Sequence, residues 1–380
     1  MLFDTVFAEN NDSFNLIDCS PVMLQTYWFN RSNGTPPMTK LRQLFMLLGV
    51  LIFISACAGQ PPTGPESPVF QHDFTGSAVP WTHGNFDDES GKFTFALFSD
   101  LTGGERDGVF EVAVEQLRLL RPELIVSVGD LIDGGTMDHE QLTREWDSFD
   151  ERANHARAPV FRVGGNHDLT NPDMWEVWEE RYGKRYYHFV YKDVLFLVLD
   201  TEDNPPDFQQ YVHKIRLEAL KVGKTEGWGA FALTEYGQLE ERKSGRIGAG
   251  QAAYFRNVIG QYPDVRWTFV LMHKAAWERP DEENFSTIET ALSGRPYTVF
   301  HGHIHSYSHQ ERLGQDYIRL GTTGGSHAAD NSMAIDHVTL VTVSKTGVDI
   351  ANLRMSGIFD KTGNIPLNGE DICLHECAEQ

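Results

Sequence analysis

The stretch Leu124-Ile125-Val126-Ser127-Val128-Gly129-Asp130 decides how the rest of the chain is interpreted. Its apolar, β-branched run is too short for a helix and is typical of a strand buried on both faces of a parallel sheet. Gly129 allows the backbone to turn sharply, so Asp130 is expected at the carboxyl end of that strand. Because ligands of open α/β sheets bind at this end, the sequence predicts a carboxylate in a binding site.

Four further apolar runs are each followed closely by Asp, Asn or His. Phe93–Ser99 leads to Asp100, Pro159–Val163 to Asn166, Arg266–Met272 to His273, and Tyr297–Phe300 to His301, His303 and His305. Strands and helices alternate from Phe93 to about Phe300, which predicts one α/β domain. We therefore expect these polar side chains to meet at one edge and to form one site.

Composition limits the class of partner. The 380 residues are enough to bury a large core, and the formal net charge is −22. An acidic surface repels polyanions, so nucleic acid is not expected as a bulk partner. An anionic substrate would be attracted by bound metal and by a few cationic side chains. Arg106, Arg162 and Lys274 lie near the polar loops and are candidates for holding a phosphate.

The donor types indicate a transition-metal site. Carboxylate, amide oxygen and imidazole together suit Mn, Fe, Zn, Co or Ni better than Ca, which prefers oxygen alone. A carboxylate flanked by histidines from separate strands suits two ions about 3.5–4 Å apart, a spacing that clamps the oxygens of phosphoryl transfer. Each residue alone also has a structural explanation. Asp130 can cap a turn, Asn166 can form an Asx-turn, and His301 or Asp200 can be core or strand-end groups.

Four sequence blocks, in this order along the chain, resemble the signature of the calcineurin-like metallophosphoesterases: Gly129-Asp130-Leu131-Ile132-Asp133, Gly165-Asn166-His167-Asp168, the isolated His273, and Gly302-His303-Ile304-His305. The resemblance covers about Phe93 to Gly325. It implies a four-layer α-β-β-α sandwich, with helices outside two stacked sheets and a dinuclear metal site at the strand ends.

The resemblance also implies roles for individual residues. Six residues would bind two divalent ions, with Asp130 bridging them, Asn166, His273 and His303 completing one site, and Asp100 and His305 serving the other. A metal-bound hydroxide would then attack a phosphate mono- or diester in a small phosphorylated substrate. In the catalytic pair, His167 would stabilise or protonate the leaving oxygen, while Asp168, like Asp133, is better suited to orienting its neighbours.

One block departs from the family pattern. The family has Asp-x-His at its first block, whereas this chain has Asp100-Leu101-Thr102. A neutral hydroxyl is a poorer ligand than imidazole, so the ion at Asp100 is expected to be held more weakly, with extra water or with Glu105 in compensation. This departure keeps a second interpretation open, in which the chain is a catalytically weak or inactive metal-binding scaffold or receptor of the same fold.

The segment before Phe93 resembles an export signal. Lys40 and Arg42 precede a short apolar run that ends in Ile54-Ser55-Ala56-Cys57, as in a bacterial lipoprotein signal; an ordinary signal peptide or anchor helix is the alternative. We expect a lipid at Cys57 and attachment to a membrane of the bacterial cell envelope, facing the periplasm or the exterior. The predicted organisation is an upstream extension (1–37), a signal (38–56), a tether and lead-in (57–90), the metallophosphoesterase domain (91–358) with an insertion at about 201–249, and an irregular tail (359–380).

Overall fold

The computed structural model describes residues 91–327, 331 and 333–355. The signal segment, Cys57, the tether and the C-terminal tail lie outside these residues, so the predictions about them remain predictions. No helix in the described part of the chain is long and apolar enough to cross a lipid bilayer.

Eleven strands, counted over the described residues, form two sheets. They are β1 (Phe93–Phe98), β2 (Leu124–Ser127), β3 (Val160–Phe161), β4 (Tyr187–Tyr191), β5 (Val194–Val198), β6 (Trp267–Leu271), β7 (Tyr297–His301), β8 (Ser308–Arg312), β9 (Gln315–Arg319), β10 (His337–Val343) and β11 (Val348–Arg354).

Parallel strands form the centre of both sheets. The first sheet has the order β11-β10-β1-β2-β3, and the second has the order β4-β5-β6-β7-β9-β8. β1, β2 and β3 are parallel, as are β5, β6, β7 and β9. The predicted hairpin near the C-terminus is confirmed by the antiparallel pair β10 and β11. The edge strands β4 and β8 were not predicted, because their partly exposed side chains give no continuous apolar run.

Helices cover the outer faces of the sheets. They are α1 (Val109–Leu120), α2 (His139–Asn154), α3 (Pro172–Tyr182), α4 (Pro206–Glu226), α5 (Trp228–Phe231), α6 (Glu235–Gln238), α7 (Ala249–Gln261) and α8 (Glu283–Ala291), with 3₁₀ turns at Glu240–Arg242 and Ala276–Glu278. Helices α1 to α3 pack on the first sheet, and α7 and α8 pack on the second. The predicted α-β-β-α sandwich is therefore confirmed.

The strand period of two divides the core into layers. Phe95 of β1 faces the second sheet, where its ring centroid lies 5.2 Å from that of Phe196 and 4.8 Å from that of Phe269. Phe98, three residues further along, faces the opposite way and packs against Phe110 of α1 at 5.2 Å. Burial on both faces fixes the register of β1 and with it the position of the residues that follow this strand.

Local capping sets where the helices near the strand ends begin. The Asn171 side chain accepts a hydrogen bond from the Met174 N–H at 2.9 Å, and Pro172 occupies the first turn of α3. Proline suits this position because its missing N–H would have no partner in the helix. Helix α3 therefore begins directly after the loop that carries Asn166 and His167.

The segment predicted as an insertion contains a 21-residue helix, α4. Its apolar side chains Val212, Ile215 and Ala219 pack with Phe231 and Tyr236 in a small cluster of their own. The Arg242 carbonyl at the end of this segment accepts a hydrogen bond from His303 Nε2 at 2.7 Å. The segment thus contributes to the surroundings of the histidine loop.

Candidate metal centre

The residues predicted to bind metal meet beyond the ends of strands from both sheets. Donor atoms of Asp130, His273 and His303 all lie within 4.8 Å of one another. The same holds for Asp100, Asp130 and His305. Because Asp130 belongs to both groups, the two clusters share one carboxylate.

Asn166 adds an amide oxygen to the first cluster. Its Oδ1 lies 3.2 Å from His273 Nε2, which in turn lies 3.1 Å from Asp130 Oδ2. Three side chains from three separate loops therefore point donor atoms at one small volume. All six predicted metal ligands come together in this way.

The backbone at the centre adopts conformations that side chains disfavour. Asp100, Asp130, His303 and His305 have φ angles of 49°, 57°, 77° and 56°. These four residues are among nine non-glycine residues with positive φ in the described part of the chain. Left-handed φ is uncommon for residues other than glycine, and such strain concentrates at functional sites. Here it turns each side chain back toward the centre.

Two motif glycines are needed for close packing against the carboxylates. A Cβ at Gly165 would overlap Asp130 Oδ1, and a Cβ at Gly302 would overlap Asp100 Oδ2. The backbone of each following loop therefore lies directly against the carboxylate of another strand end. This contact explains why glycine precedes Asn166 and His303.

Each histidine at the centre uses one ring nitrogen to contact a backbone carbonyl. The contacts are His273 Nδ1 to Val128 O at 2.8 Å, His303 Nε2 to Arg242 O at 2.7 Å, His305 Nδ1 to Ser326 O at 2.7 Å and His167 Nδ1 to Asp133 O at 2.9 Å. A neutral imidazole that donates one N–H to a carbonyl keeps a lone pair on its other nitrogen. Such second contacts orient histidine ligands in metal sites, so the rings of His273, His303 and His305 are positioned to fit a bound ion.

The family model of the calcineurin-like phosphoesterases matches residues 93–307, which include all six clustered residues. The chain belongs to the calcineurin-like phosphoesterase family. It is therefore a metal-dependent hydrolase that acts on phosphoester bonds. No curated protein sequence matches the chain.

Solved structures similar to this phosphoesterase include three with related descriptions. A dimetal phosphatase from Danio rerio is 14% identical, with 69% of this chain and 96% of that chain covered and a TM-score of 0.49. A purple acid phosphatase from yellow lupin is 14% identical, with 71% of this chain and 53% of that chain covered and a TM-score of 0.45. A putative 5'-nucleotidase from Staphylococcus aureus is 13% identical, with 72% of this chain and 56% of that chain covered and a TM-score of 0.41.

Charges within the phosphoesterase centre are strongly coupled. Burial raises the pKa of Asp130, but the neighbouring His273 and His167 outweigh it and hold this pKa well below its usual range. Burial lowers the pKa of His273, but Asp130 outweighs it and raises the pKa to about 9. Burial also lowers the pKa of His305, but the hydrogen bond and the charge of Asp100 outweigh it and raise this pKa to about 9. The two aspartates thus attract positive charge, as a divalent ion requires.

Thr102 does not join either cluster. It occupies the position of the family's histidine ligand and is buried, and its hydroxyl donates to the Asp133 carboxylate. Glu105, which could have compensated, is instead paired with Arg152. The Asp100 cluster therefore has Asp100, Asp130 and His305 as its carboxylate and imidazole donors.

Asp168 holds the loops of the phosphoesterase centre together. Its fully buried carboxylate accepts hydrogen bonds from the backbone N–H groups of Gly165 at 2.8 Å, Leu131 at 2.8 Å and Ile132 at 3.1 Å. Burial and the charge of Asp130 raise its pKa to about 7. Both carboxylate oxygens are thus engaged with the backbone of two motif loops, which is a positioning role.

Three cations proposed to hold phosphate already have carboxylate partners. Arg106 binds Asp336, Arg162 binds Asp150 and Lys274 binds Glu202, at 2.6, 2.6 and 2.7 Å. None of them is a spare cation for a substrate.

Two other polar residues lie outside the clusters. Asp200 accepts from the Glu202 N–H at 2.8 Å and pairs with Arg185 at 2.7 Å. His301 is buried with its ring edge-on to Trp277. Both have the structural roles that the sequence left open for them.

The backbone carbonyls that orient the histidines were missed, because a carbonyl partner leaves no signal in residue type.

Proposed function

We propose that this phosphoesterase hydrolyses a phosphate mono- or diester at a centre of two divalent transition-metal ions (Mn, Fe, Zn, Co or Ni). The observation that carries the proposal is the pair of donor clusters that share Asp130. Asp130 would bridge the ions. Asn166, His273 and His303 would complete one ion's ligands, and Asp100 and His305 would serve the other.

The residues of the chain would have distinct tasks. Bound ions supply positive charge for the phosphoryl oxygens and a water of lowered pKa. Asp130 is held in position by the His167 backbone N–H, which donates to its Oδ1 at 2.8 Å. A Cβ at Gly103 would lie 3.8 Å from His167 Nε2 and 3.3 Å from His305 Nε2. The two nitrogens are therefore close to the same point, and His167 Nε2 is on the side of the ring that faces the metal centre. Because Nδ1–H donates to the Asp133 carbonyl, Nε2 is the nitrogen that faces the leaving oxygen, and it would donate a proton there from the imidazolium form, in which both ring nitrogens are protonated.

A metal screen tests the proposal. Metal-free protein would be reloaded with Mn, Fe, Zn, Co or Ni in turn and assayed with p-nitrophenyl phosphate and with bis(p-nitrophenyl) phosphate. Mass spectrometry of the loaded protein would count the ions. We expect metal-dependent turnover and two ions per chain.

The screen also separates the second interpretation. A full complement of metal without turnover of either ester would favour a scaffold or receptor. A single ion per active chain would contradict the two-ion centre.

Thr102→His is expected to strengthen binding of the ion at Asp100. The change offers an imidazole where the structure has only a hydroxyl, next to a cluster with three carboxylate or imidazole donors. We expect the dissociation constant of the more weakly bound ion to fall by about tenfold or more, because one added ligand is worth at least as much as a supporting contact. Titration calorimetry on metal-free protein measures both constants.

Thr102→Val is the matched control, since it has nearly the same shape and adds no ligand. The dissociation constant of the more weakly bound ion in Thr102→Val should equal that in the unchanged chain. If Thr102→His kept its melting temperature but did not change the dissociation constant of the more weakly bound ion, Thr102 would have no role in ion affinity.

A further inference from the structure

Arg216 of α4 is a buried cation beside the metal centre. Its exposed fraction is 8%, and its Nη1 lies 2.5 Å from the point that a Cβ at Gly135 would occupy. Gly135 belongs to the loop whose Asp133 carbonyl contacts His167 Nδ1 at 2.9 Å. Arg216 therefore packs against the loop that orients the proposed acid.

No hydrogen bond or ion pair of Arg216 is found in the part of the chain that the structure describes. The nearby acid Glu145 is already engaged, because its carboxylate accepts from the Gly134 N–H at 2.8 Å and from the Gln141 side chain at 2.7 Å. Asp173 faces His139 at 3.8 Å. The side chain is largely buried, but no guanidinium nitrogen of Arg216 is among the fully buried atoms that lack a partner, so solvent still reaches this group and a ligand could supply the anion there.

A second polar group on the same helix is also without a partner. His213 lies one turn before Arg216, is 3% exposed, and its Nδ1 has no hydrogen-bond partner among the described residues. The charge of Arg216 also reaches the centre. Burial lowers the pKa of His167, Asp130 opposes this, and Arg216 lowers it further. The surface of the chain is otherwise strongly acidic, with a net charge of −22.

We propose that Arg216 binds a second anionic group, a carboxylate or a phosphate, on the leaving portion of the substrate. This rests on the proposed function, in which His167 faces the leaving oxygen. The planar guanidinium offers two parallel N–H donors that match either anion. The substrate class is therefore an organic phosphate that carries further negative charge on the side of the released group.

A pair of esters that differ in one group tests this assignment. 3-Phosphoglycerate and glycerol 3-phosphate differ by a carboxylate in place of a hydroxymethyl group. Each would compete with p-nitrophenyl phosphate turnover by the metal-loaded enzyme, and calorimetry would measure the binding of each directly. We expect the unchanged chain to bind 3-phosphoglycerate more tightly than glycerol 3-phosphate, and Arg216→Met to weaken the former by roughly 10- to 100-fold and the latter by less than about threefold.

Two control variants separate ligand binding from structure. Lys214→Met removes the same charge from an exposed position on α4 and should change neither constant by more than about threefold. Arg216→Lys keeps the charge but not the fork and should give an intermediate loss. Because Arg216 has no counter-ion among the residues that the structure describes, Arg216→Met should keep or raise the melting temperature, whereas replacement of a structural arginine would lower it.

The outcomes are distinct. The assignment would be overturned if the unchanged chain bound the two esters equally tightly, or if Arg216→Met weakened the binding of both by the same factor. The proposed function would still stand in that case, because it depends on turnover of p-nitrophenyl phosphate. Absence of turnover with every metal would overturn the proposed function, and the calorimetric comparison would still decide whether Arg216 binds the anion.

Discussion

Asp130→Asn is expected to remove two-ion binding and phosphoesterase activity together. Asp130 is the one residue shared by both donor clusters, so its replacement weakens both ions. Asparagine keeps a side-chain oxygen that can accept from the His167 N–H, and it tolerates the left-handed φ of 57° at this position. The substitution therefore removes the charge while it preserves the loop.

The expected loss in kcat/KM is on the order of 10²- to 10⁴-fold. Loss of a supporting contact alone typically costs about 10- to 100-fold in metal affinity, and here each of two ions loses a direct ligand. Mass spectrometry should find one ion or none per chain under conditions that give two in the unchanged protein. Circular dichroism would check that the fold is retained.

Asp200→Asn is the matched control for the loss of a buried carboxylate at a strand end. Asp200 pairs with Arg185 outside both clusters, so we expect a lower melting temperature with two ions still bound. If Asp130→Asn kept two ions and full turnover, the shared aspartate would not bridge anything, and the proposed centre would be wrong.

His167→Ala is expected to leave both ions bound and to lower kcat by roughly 10²- to 10⁴-fold, as loss of a general acid does. His167 is outside both donor clusters, and its Nδ1 is occupied by the Asp133 carbonyl. In the proposed function its side chain would contribute to proton transfer and charge stabilisation, while its backbone N–H should still hold Asp130 after the substitution.

The nature of the leaving group gives the sharper measurement. A good leaving group such as p-nitrophenolate needs little protonation, whereas an alkoxide needs a proton as the bond breaks. The loss in His167→Ala should therefore grow from p-nitrophenyl phosphate to phenyl phosphate to an alkyl phosphate. A uniform loss across the three esters would show that His167 stabilises phosphoryl charge without donating the proton, and unchanged kcat would exclude it from the chemistry.

Sequence reasoning was most successful where burial was complete. The strands that carry Asp100, Asp130, His273 and His303 are buried on both faces, so their apolar runs were readable in the sequence. It was weakest at edges: β4 and β8 pair on one side only, and half-exposed strands tolerate polar residues that hide the pattern. The buried strands were therefore predictable and the edge strands β4 and β8 were not, whereas the edge strand β11 was found through its hairpin with β10.

Two assignments changed because they depend on which partner lies nearby. Glu105 was a candidate to replace a missing ligand, but Arg152 binds it. Arg106 and Lys274 were candidate phosphate cations, but Asp336 and Glu202 neutralise them. Residue type tells which groups can carry charge, whereas only distances tell whether the charge is already compensated.

The sequence by itself determined the donor types, their order and their attachment to buried strand ends, because these follow from local hydrophobic pattern and from motif spacing. Only the tertiary structure decided that each histidine is oriented by a backbone carbonyl, and that Arg216 is largely buried with no anionic partner among the described residues. The histidine–carbonyl contacts join residues up to 145 positions apart, as His273 and Val128 show. Contacts of that kind arise when two sheets stack, and no local pattern encodes them.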